Sequence, residues 1–336
     1  MTTSQPFYHL RPNKFIDRYL FLRVLSCLRK QFDIEKYRYI GFGSFMFDDF
    51  KLMHNYLSIS DMISIENDPT ICKRAEFNKP YKCIKIEKMT SSAFIENMSI
   101  EKNSIIWLDY TSPAEIGEQL ADFSDLLRKM EKNDIVRITL NANPCAFNGD
   151  EKEPSKMHSA RLKALTQKIG QYIPSNITQN DMTASKFPSF LLGCLKHAVS
   201  DIYPCLSPYQ KKFLFPLFST VYQDGQQMFT FTAILLEADS NEDKEAQERQ
   251  IKEQMQACDL CDIVKCDWDE CCQINVPALT PKEVMALNNL LPDETAQKCI
   301  TDTMPFFSGK TSELNELIAN YIKYYKYYPN FHHVNF

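Results

Sequence analysis

The stretch "YRYIGFGSFMFDDFKLMHNYL", Tyr37 to Leu57, sets two of the chain's eight glycines as Gly41-Phe42-Gly43. An apolar run enters the pair, and a helical pattern leaves it, with Met46, Phe50, Met53 and Leu57 on one face. Glycine after a strand lets the backbone turn sharply and lets a ligand approach with no Cβ in the way. The next apolar run, "DMISIEN", ends in Glu66, whose carboxylate can accept from both hydroxyls of a ribose. The pair lacks the third glycine that brings a pyrophosphate against a helix start. Asp48 and Asp49, just beyond, repel a pyrophosphate and tolerate a ligand carrying an amine and a sulfonium.

The most apolar run, "NSIIWLDY", ends in Asp109 and Tyr110. Asp109 either orients or deprotonates a nucleophile, or caps the loop and the helix that starts near Pro113. Tyr110 shapes a pocket beside it. Asp109 with Asn141 or Asn143 supplies part of a magnesium cluster, but the set is incomplete, so no metal is expected. His9, His54, His158 and His197 each read as structural or exposed rather than as a general base. "CDLCDIVKCDWDECC", Cys258 to Cys272, tempts a zinc reading. The set is compressed, and "CDIVKCDW" reads as a strand that turns Cys261 and Cys266 to opposite faces. Separate thiols are therefore expected.

Elements that position these residues alternate along the chain. "FIDRYLFLRVLSCLRKQF" is a helix, and "YRYIGF", "DMISIEN", "KCIKIEKM", "NSIIWLDY" and "DIVRITLNAN" are five β runs. Between the last two, Ile116, Leu120, Phe123, Leu127 and Met130 recur at helical spacing, with Glu, Asp and Lys between them. Strands alternating with helices imply a parallel sheet with right-handed crossovers. "FLFPLFSTVY" and "MFTFTAILLEA" around "QDGQQ" then read as an antiparallel hairpin. Thr280-Pro281 with Glu283 reads as a capped helix start.

With 44% hydrophobic and 24% charged residues, the composition is that of a soluble globular protein, and the net charge of -5 gives no global signal for nucleic acid. No apolar run approaches the roughly 20 residues of a membrane span. The N-terminus lacks a signal-peptide core, so a cytoplasmic address is expected. In that compartment scattered cysteines such as Cys27, Cys83 and Cys194 read as small buried hydrophobes rather than disulfides.

The order of five strands plus a hairpin, carrying "YIGFGS", "ISIEND", "KIEKMTSS", "IIWLDYTSP" and "DIVRITLNANP", resembles class I S-adenosylmethionine-dependent methyltransferases. The opening "YHLRPNKFIDRYLF" with "WLDYTSP" is similar to a bacterial putative O-methyltransferase family. The resemblance implies an α/β, Rossmann-like class I methyltransferase sheet, five parallel strands plus an antiparallel hairpin, with a C-terminal accessory segment. It implies S-adenosylmethionine as cofactor, with methionine near the Gly41 and Gly43 loop, ribose at Glu66 and adenine near Met89 and Thr90. Arg11, with Asn13 and Lys14 before the first helix, is placed to fold over the site, Arg11 on the methionine carboxylate. "DYTSP" is not the Asp/Asn-Pro-Pro-Tyr motif of amino-methylating DNA enzymes, so adenine methylation is not implied.

The expected organisation is an N-terminal cap and helix over 1–36, a methyltransferase-like domain over 37–238 with an insertion at 171–212, and an accessory segment over 239–336. Two functional readings stay open: a methyltransferase of unassigned acceptor, or an inactive scaffold of the same fold in a bacterial defence system. The tail "YIKYYKYYPNFHHVNF" interleaves aromatics with Lys323 and Lys326. It reads as docking onto the core or onto a protein partner in preference to single-stranded nucleic acid.

Overall fold

A computed structural model describes residues 11–99, 101–293 and 311–329. His9 and the Asn330 to Phe336 end of the aromatic tail lie outside the described residues. In chain order the elements are α1 (Pro12–Leu28), β1 (Arg38–Gly41), α2 (Asp48–Leu57), β2 (Asp61–Ile65), α3 (Pro69–Asn78) and β3 (Ile84–Glu87). There follow α4 (Ser91–Asn97), β4 (Ser104–Asp109), α5 (Ile116–Lys129), β5 (Ile135–Asn141), α6 (Pro154–Ile169) and α7 (Phe187–Ile202). After them come β6 (Lys212–Gln223), β7 (Gln227–Glu237), α8 (Asn241–Ala257), β8 (Cys272–Ile274) and α9 (Pro281–Asn288).

Two compact units divide the chain. The larger spans Leu22–Val221 and Gln226–Cys272. Its strands stand in the order β3-β2-β1-β4-β5-β7-β6. The first five are parallel, and β7 runs antiparallel to β5. β5 is buried along its whole length and β4 everywhere but its last residue, as continuous apolar runs demand of central strands. Ile116, Leu120, Phe123, Leu127 and Met130 of the α5 segment are all within 1% of full burial and pack with Ile106, Leu108, Val136 and Ile138 of the sheet.

The smaller unit holds the described parts of Met1–Phe21, Tyr222–Gly225 and Gln273–Phe336. α1 begins at Pro12, where the ring pre-sets a helical φ, so Asn13 and Lys14 lie inside the helix rather than before it. Their backbone N–H groups donate to the two carboxylate oxygens of Asp224, and Asn13 Oδ1 accepts from Val276 N–H at 2.8 Å. Thr280 and Glu283 form the expected capping box at the start of α9. The aromatic tail, where described, docks within its own unit. Tyr321 donates to Asn288, Tyr324 to the Gln273 carbonyl, and Tyr328 to the Pro277 carbonyl while accepting from Leu279 N–H.

Two expectations are corrected. The "CDIVKCDW" segment is not a strand. Asp259 takes a left-handed φ of 55°, Leu260 N–H reaches back to the Met255 carbonyl, and Ile263 and Val264 both donate to the Leu260 carbonyl, so turns replace extended backbone. Trp268 then stacks on Phe231 with ring centroids 4.7 Å apart. Cys27 is not an isolated buried thiol either: it pairs with Cys258 as a disulfide, Cα to Cα 6.3 Å. Packing brings together residues 231 apart in sequence, which no local pattern reveals. Among the described residues no helix is long and apolar enough to cross a membrane.

Non-reducing peptide mapping is expected to recover a Cys27–Cys258 linked pair. Cys258→Ser should lower unfolding free energy by about 2–4 kcal/mol under oxidising conditions and by far less in reductant. Equal effects in both would remove the bond from the fold. Asp134, buried beneath N–H bonds from Ser104 and Glu131, has its pKa pushed up to about 6 by burial. A carboxyl raised in the folded state stabilises below about pH 4 and loses that contribution as pH rises through about 6. The span is about 3 kcal/mol. Carbon-13 NMR should place the Asp134 midpoint near 6; a midpoint near 4 would contradict the burial.

Candidate functional site

Sheet order reverses between β1 and β4, which are neighbours that grow outward in opposite directions. Ligands of open α/β sheets bind outside the carboxyl ends of the strands at such a point. A cavity of about 570 Å³ lies there. Its wall takes Phe42 after β1, Glu66 after β2, Met89, Thr90 and Ser91 after β3, and Asp109 and Tyr110 at the end of β4. Glu115, Glu118, Gln119 and Asp122 close it from the α5 side.

Capping, ladder and side-chain bonds hold several of the wall residues. Asp68 caps α3 by accepting from Thr70 and Ile71 N–H, and Pro69 follows as the first helical residue. That turn brings Asp68 N–H to Glu66 Oε1 at 3.0 Å, which fixes the Glu66 carboxylate at the rim. Thr90 caps α4 by accepting from Ala93 N–H, so Met89 and Thr90 are pinned where β3 gives way to helix. Asp109 pairs in register with Thr139, and Tyr110 N–H donates to the Thr139 carbonyl. The Tyr110 ring meets Phe42 edge to face at 5.5 Å. Its hydroxyl donates to Asp122 Oδ2 at 2.5 Å, and the Ser91 hydroxyl donates to the same oxygen at 2.5 Å. Burial first, then the Asp122 charge, pushes the Tyr110 pKa far above its usual value, so the phenol keeps its proton.

Sequence reasoning missed Asp122 and its neighbours. Glu115, Glu118, Gln119 and Asp122 fall at i, i+3, i+4 and i+7, a polar stripe flanking the apolar face of α5. Reading that helix for its apolar positions alone hides the stripe. Gln119 donates to the Ser112 carbonyl at 2.6 Å and ties the helix to the loop after β4.

The cavity lining takes Phe42 from between Gly41 and Gly43. Neither Gly41 nor Gly43 has a positive φ. A Cβ at Gly41 would stand 3.0 Å from the Tyr39 hydroxyl, and one at Gly43 would stand 2.6 Å from Ser64 Oγ and 2.8 Å from the Phe47 ring. Phe47, buried and itself left-handed at φ 55°, folds back over Gly43, whose N–H donates to Ser64 Oγ. The space each glycine leaves is used by the chain's own side chains. Asp48 and Asp49 occupy the first turn of α2, so the positive end of that helix already faces carboxylates.

Arg11 lies in the smaller unit, where its carbonyl accepts from Phe15 N–H at the entry to α1. His54 Nδ1 is bonded to the Ile59 carbonyl at 2.8 Å, a structural use. Asn141 donates to the Thr111 carbonyl and accepts from Asn143 N–H. Among the described residues no group of three or more His, Cys, Asp or Glu is placed to hold a metal ion. In the cysteine-rich stretch Cys258 is taken by Cys27, and burial pushes Cys266 and Cys271 up to about 12.

A family model described as "Putative O-methyltransferase" matches residues 6–336. No curated protein matches the chain. Among solved structures, Trm1 from Pyrococcus horikoshii with S-adenosyl-L-methionine is 10% identical, covering 76% of this chain and 60% of that one at a TM-score of 0.45. The O-methyltransferase from Bacillus cereus in complex with SAH is 12% identical, covering 64% and 79%, at a TM-score of 0.37. These are distant likenesses.

Gly43→Ala is expected to destabilise the protein by about 1–3 kcal/mol, because the added methyl must displace Phe47 or Ser64. Urea unfolding of the variant reads this directly. A neutral substitution would mean that the loop repacks freely and that Phe47 does not hold it.

Proposed function

The chain belongs to the "Putative O-methyltransferase" family, and on that premise we propose that the cavity binds S-adenosylmethionine and that the protein transfers its methyl group to an acceptor. The observation that carries this reading is the lining. Glu66, Asp109, Glu115, Glu118 and Asp122 are five carboxylates, and among the described residues no Lys, Arg or His joins them. Such a wall concentrates cations and repels phosphate. It fits a ligand with a sulfonium and an amine, and it does not fit a dinucleotide. The volume suits a cofactor of that size.

When bound, S-adenosylmethionine supplies an electrophilic methyl carbon. The chain's own part is positioning, which for an in-line displacement supplies most of the rate. Glu66, with one oxygen fixed by Asp68 N–H, offers its other oxygen to the ribose hydroxyls. Met89 and Thr90 border the base, with Phe42 and Tyr110 as aromatic wall. Gly41 and Gly43 act at one remove, Gly41 by leaving room for Tyr39 and Gly43 by letting Phe47 set the course of the loop that follows Phe42. Tyr110 stays protonated beneath Asp122 and therefore orients rather than accepts. Asp109, at the end of β4, is the carboxylate assigned to orient the acceptor and take its proton.

Isothermal titration should show micromolar S-adenosylmethionine binding that Glu66→Ala weakens by about 1.5–3 kcal/mol, the worth of hydrogen bonds to a charged group. Rising ionic strength should weaken S-adenosylmethionine more than S-adenosylhomocysteine, which has no sulfonium. A folded protein that binds neither ligand would overturn the proposal.

A further inference from the structure

Three cysteines of the larger unit are placed for chemistry that methyl transfer does not use. Cys27, near the end of α1, is 3% exposed and is joined to Cys258, the half-buried residue that follows α8. Cys261 stands three residues further on and is exposed. Between the two, Asp259 takes its left-handed φ of 55° and Leu260 N–H returns to the Met255 carbonyl. The chain therefore folds back instead of carrying Cys261 away from the end of α8. Cys261 also lines a second cavity, of about 590 Å³, with Arg249 and Lys252 of α8, from which an external thiol can approach. The other thiols of the stretch are withheld: Cys272 is buried, and burial keeps Cys266 and Cys271 protonated.

We infer that Cys27, Cys258 and Cys261 form a thiol–disulfide exchange relay, in which the Cys261 thiolate displaces Cys27 from Cys258. The bond from Cys261 Sγ to Cys258 Sγ forms, the bond from Cys258 Sγ to Cys27 Sγ breaks, and the electron pair leaves with Cys27. Cys27 regains the proton that Cys261 gave up, so the step needs no oxidant or reductant. An acceptor for that proton is already in place. The Gln254 carbonyl oxygen lies 2.9 Å from Cys27 Sγ. A disulfide sulfur has no hydrogen to donate there, whereas a released thiol has. Cys258 is the sulfur open to attack, because Cys27 is covered. The new Cys258–Cys261 bond includes an exposed sulfur, so an external dithiol can reduce it to two thiols and become a disulfide itself. Release leaves the seam between α1 and α8 to packing and long bonds. Gln254 donates to Gln31 Oε1 at 3.2 Å, Gln31 to Gln250 Oε1 at 3.5 Å, and Arg23 to the Cys258 carbonyl at 3.4 Å.

The test adds dithiothreitol to the oxidised full chain and follows each pair by acid trapping, alkylation and non-reducing peptide mapping, in wild type, Cys261→Ser and Cys266→Ser. Partly reduced wild type should yield a trapped Cys258–Cys261 pair with Cys27 alkylated. Cys261→Ser should lose the Cys27–Cys258 link more slowly than wild type, by on the order of tenfold, because dithiothreitol must then reach the covered bond directly. Cys266→Ser should keep the wild-type rate. Cys27→Ser, given oxidised glutathione, should close the Cys258–Cys261 pair, which tests the reach of the two sulfurs without the first disulfide. Wild type that is reduced with no trapped Cys258–Cys261 species, or at the same rate as Cys261→Ser, would overturn the relay. So would equal slowing in Cys266→Ser and Cys261→Ser, or a Cys27→Ser protein in which glutathione stays on Cys261 and the pair never closes. Oxidised wild type without a Cys27–Cys258 link would remove its starting point and overturn it too.

Discussion

Parallel strands joined by right-handed crossovers can extend a sheet in one direction only until the chain turns back to the other edge. Here it extends from β1 through β2 to β3, then returns to place β4 on the other side of β1 and β5 beyond it. That single reversal positions the whole site. Phe42, Glu66 and Tyr110 are each the first residue beyond a strand, and Met89 is the second. The sheet therefore delivers four chemically unlike side chains to one crevice without any long-range bond between them. Strand register alone does this, and strand register follows from which residues must be buried.

What the sheet cannot do is close the far wall, and one carboxylate performs that task. Asp122 joins α5 to the end of β4 through Tyr110 and to the start of α4 through Ser91. Three segments that the sheet brings near one another are thereby fixed in one geometry. On the near side the same job falls to Phe47, which packs into the space above Gly43. The cavity is thus bounded by a polar clamp on one side and an apolar one on the other.

The sheet was legible in the sequence because burial writes itself locally. Apolar runs such as "SIIWLD" and "IVRITLN" demand two covered faces, and the acids at their ends mark where the strand meets solvent. Glu66, Asp109 and Tyr110 follow from that position, whereas Met89 and Thr90 were implied by the family resemblance. The α5 stripe was equally present in the letters, but a search for the apolar face passes over polar residues at the same spacing. The glycines are ambiguous for a different reason. A missing Cβ makes room, and sequence does not say whether a ligand or the chain's own Tyr39 and Phe47 will use it. Cys27 and Cys258 could not be paired from sequence, because nothing local connects a residue within α1 to one just beyond α8. The strand read into "CDIVKCDW" failed at Asp259, where a left-handed residue after α8 sends the chain into turns.

The charge of the lining and the shape of the first loop make one argument from opposite directions. A pyrophosphate needs close backbone approach at a helix start and a positive field to meet it. At the start of α2 the approach is blocked by Phe47 lying over Gly43, and the helix dipole is already answered by Asp48 and Asp49. Five carboxylates line the cavity, and among the described residues no Lys, Arg or His joins them. On the proposed cofactor reading a sulfonium suits such a wall, whereas a phosphate meets charge of its own sign. On that reading, a wall with no third glycine and, among the described residues, no basic side chain favours a ligand by the sign of its charge before any single hydrogen bond is made.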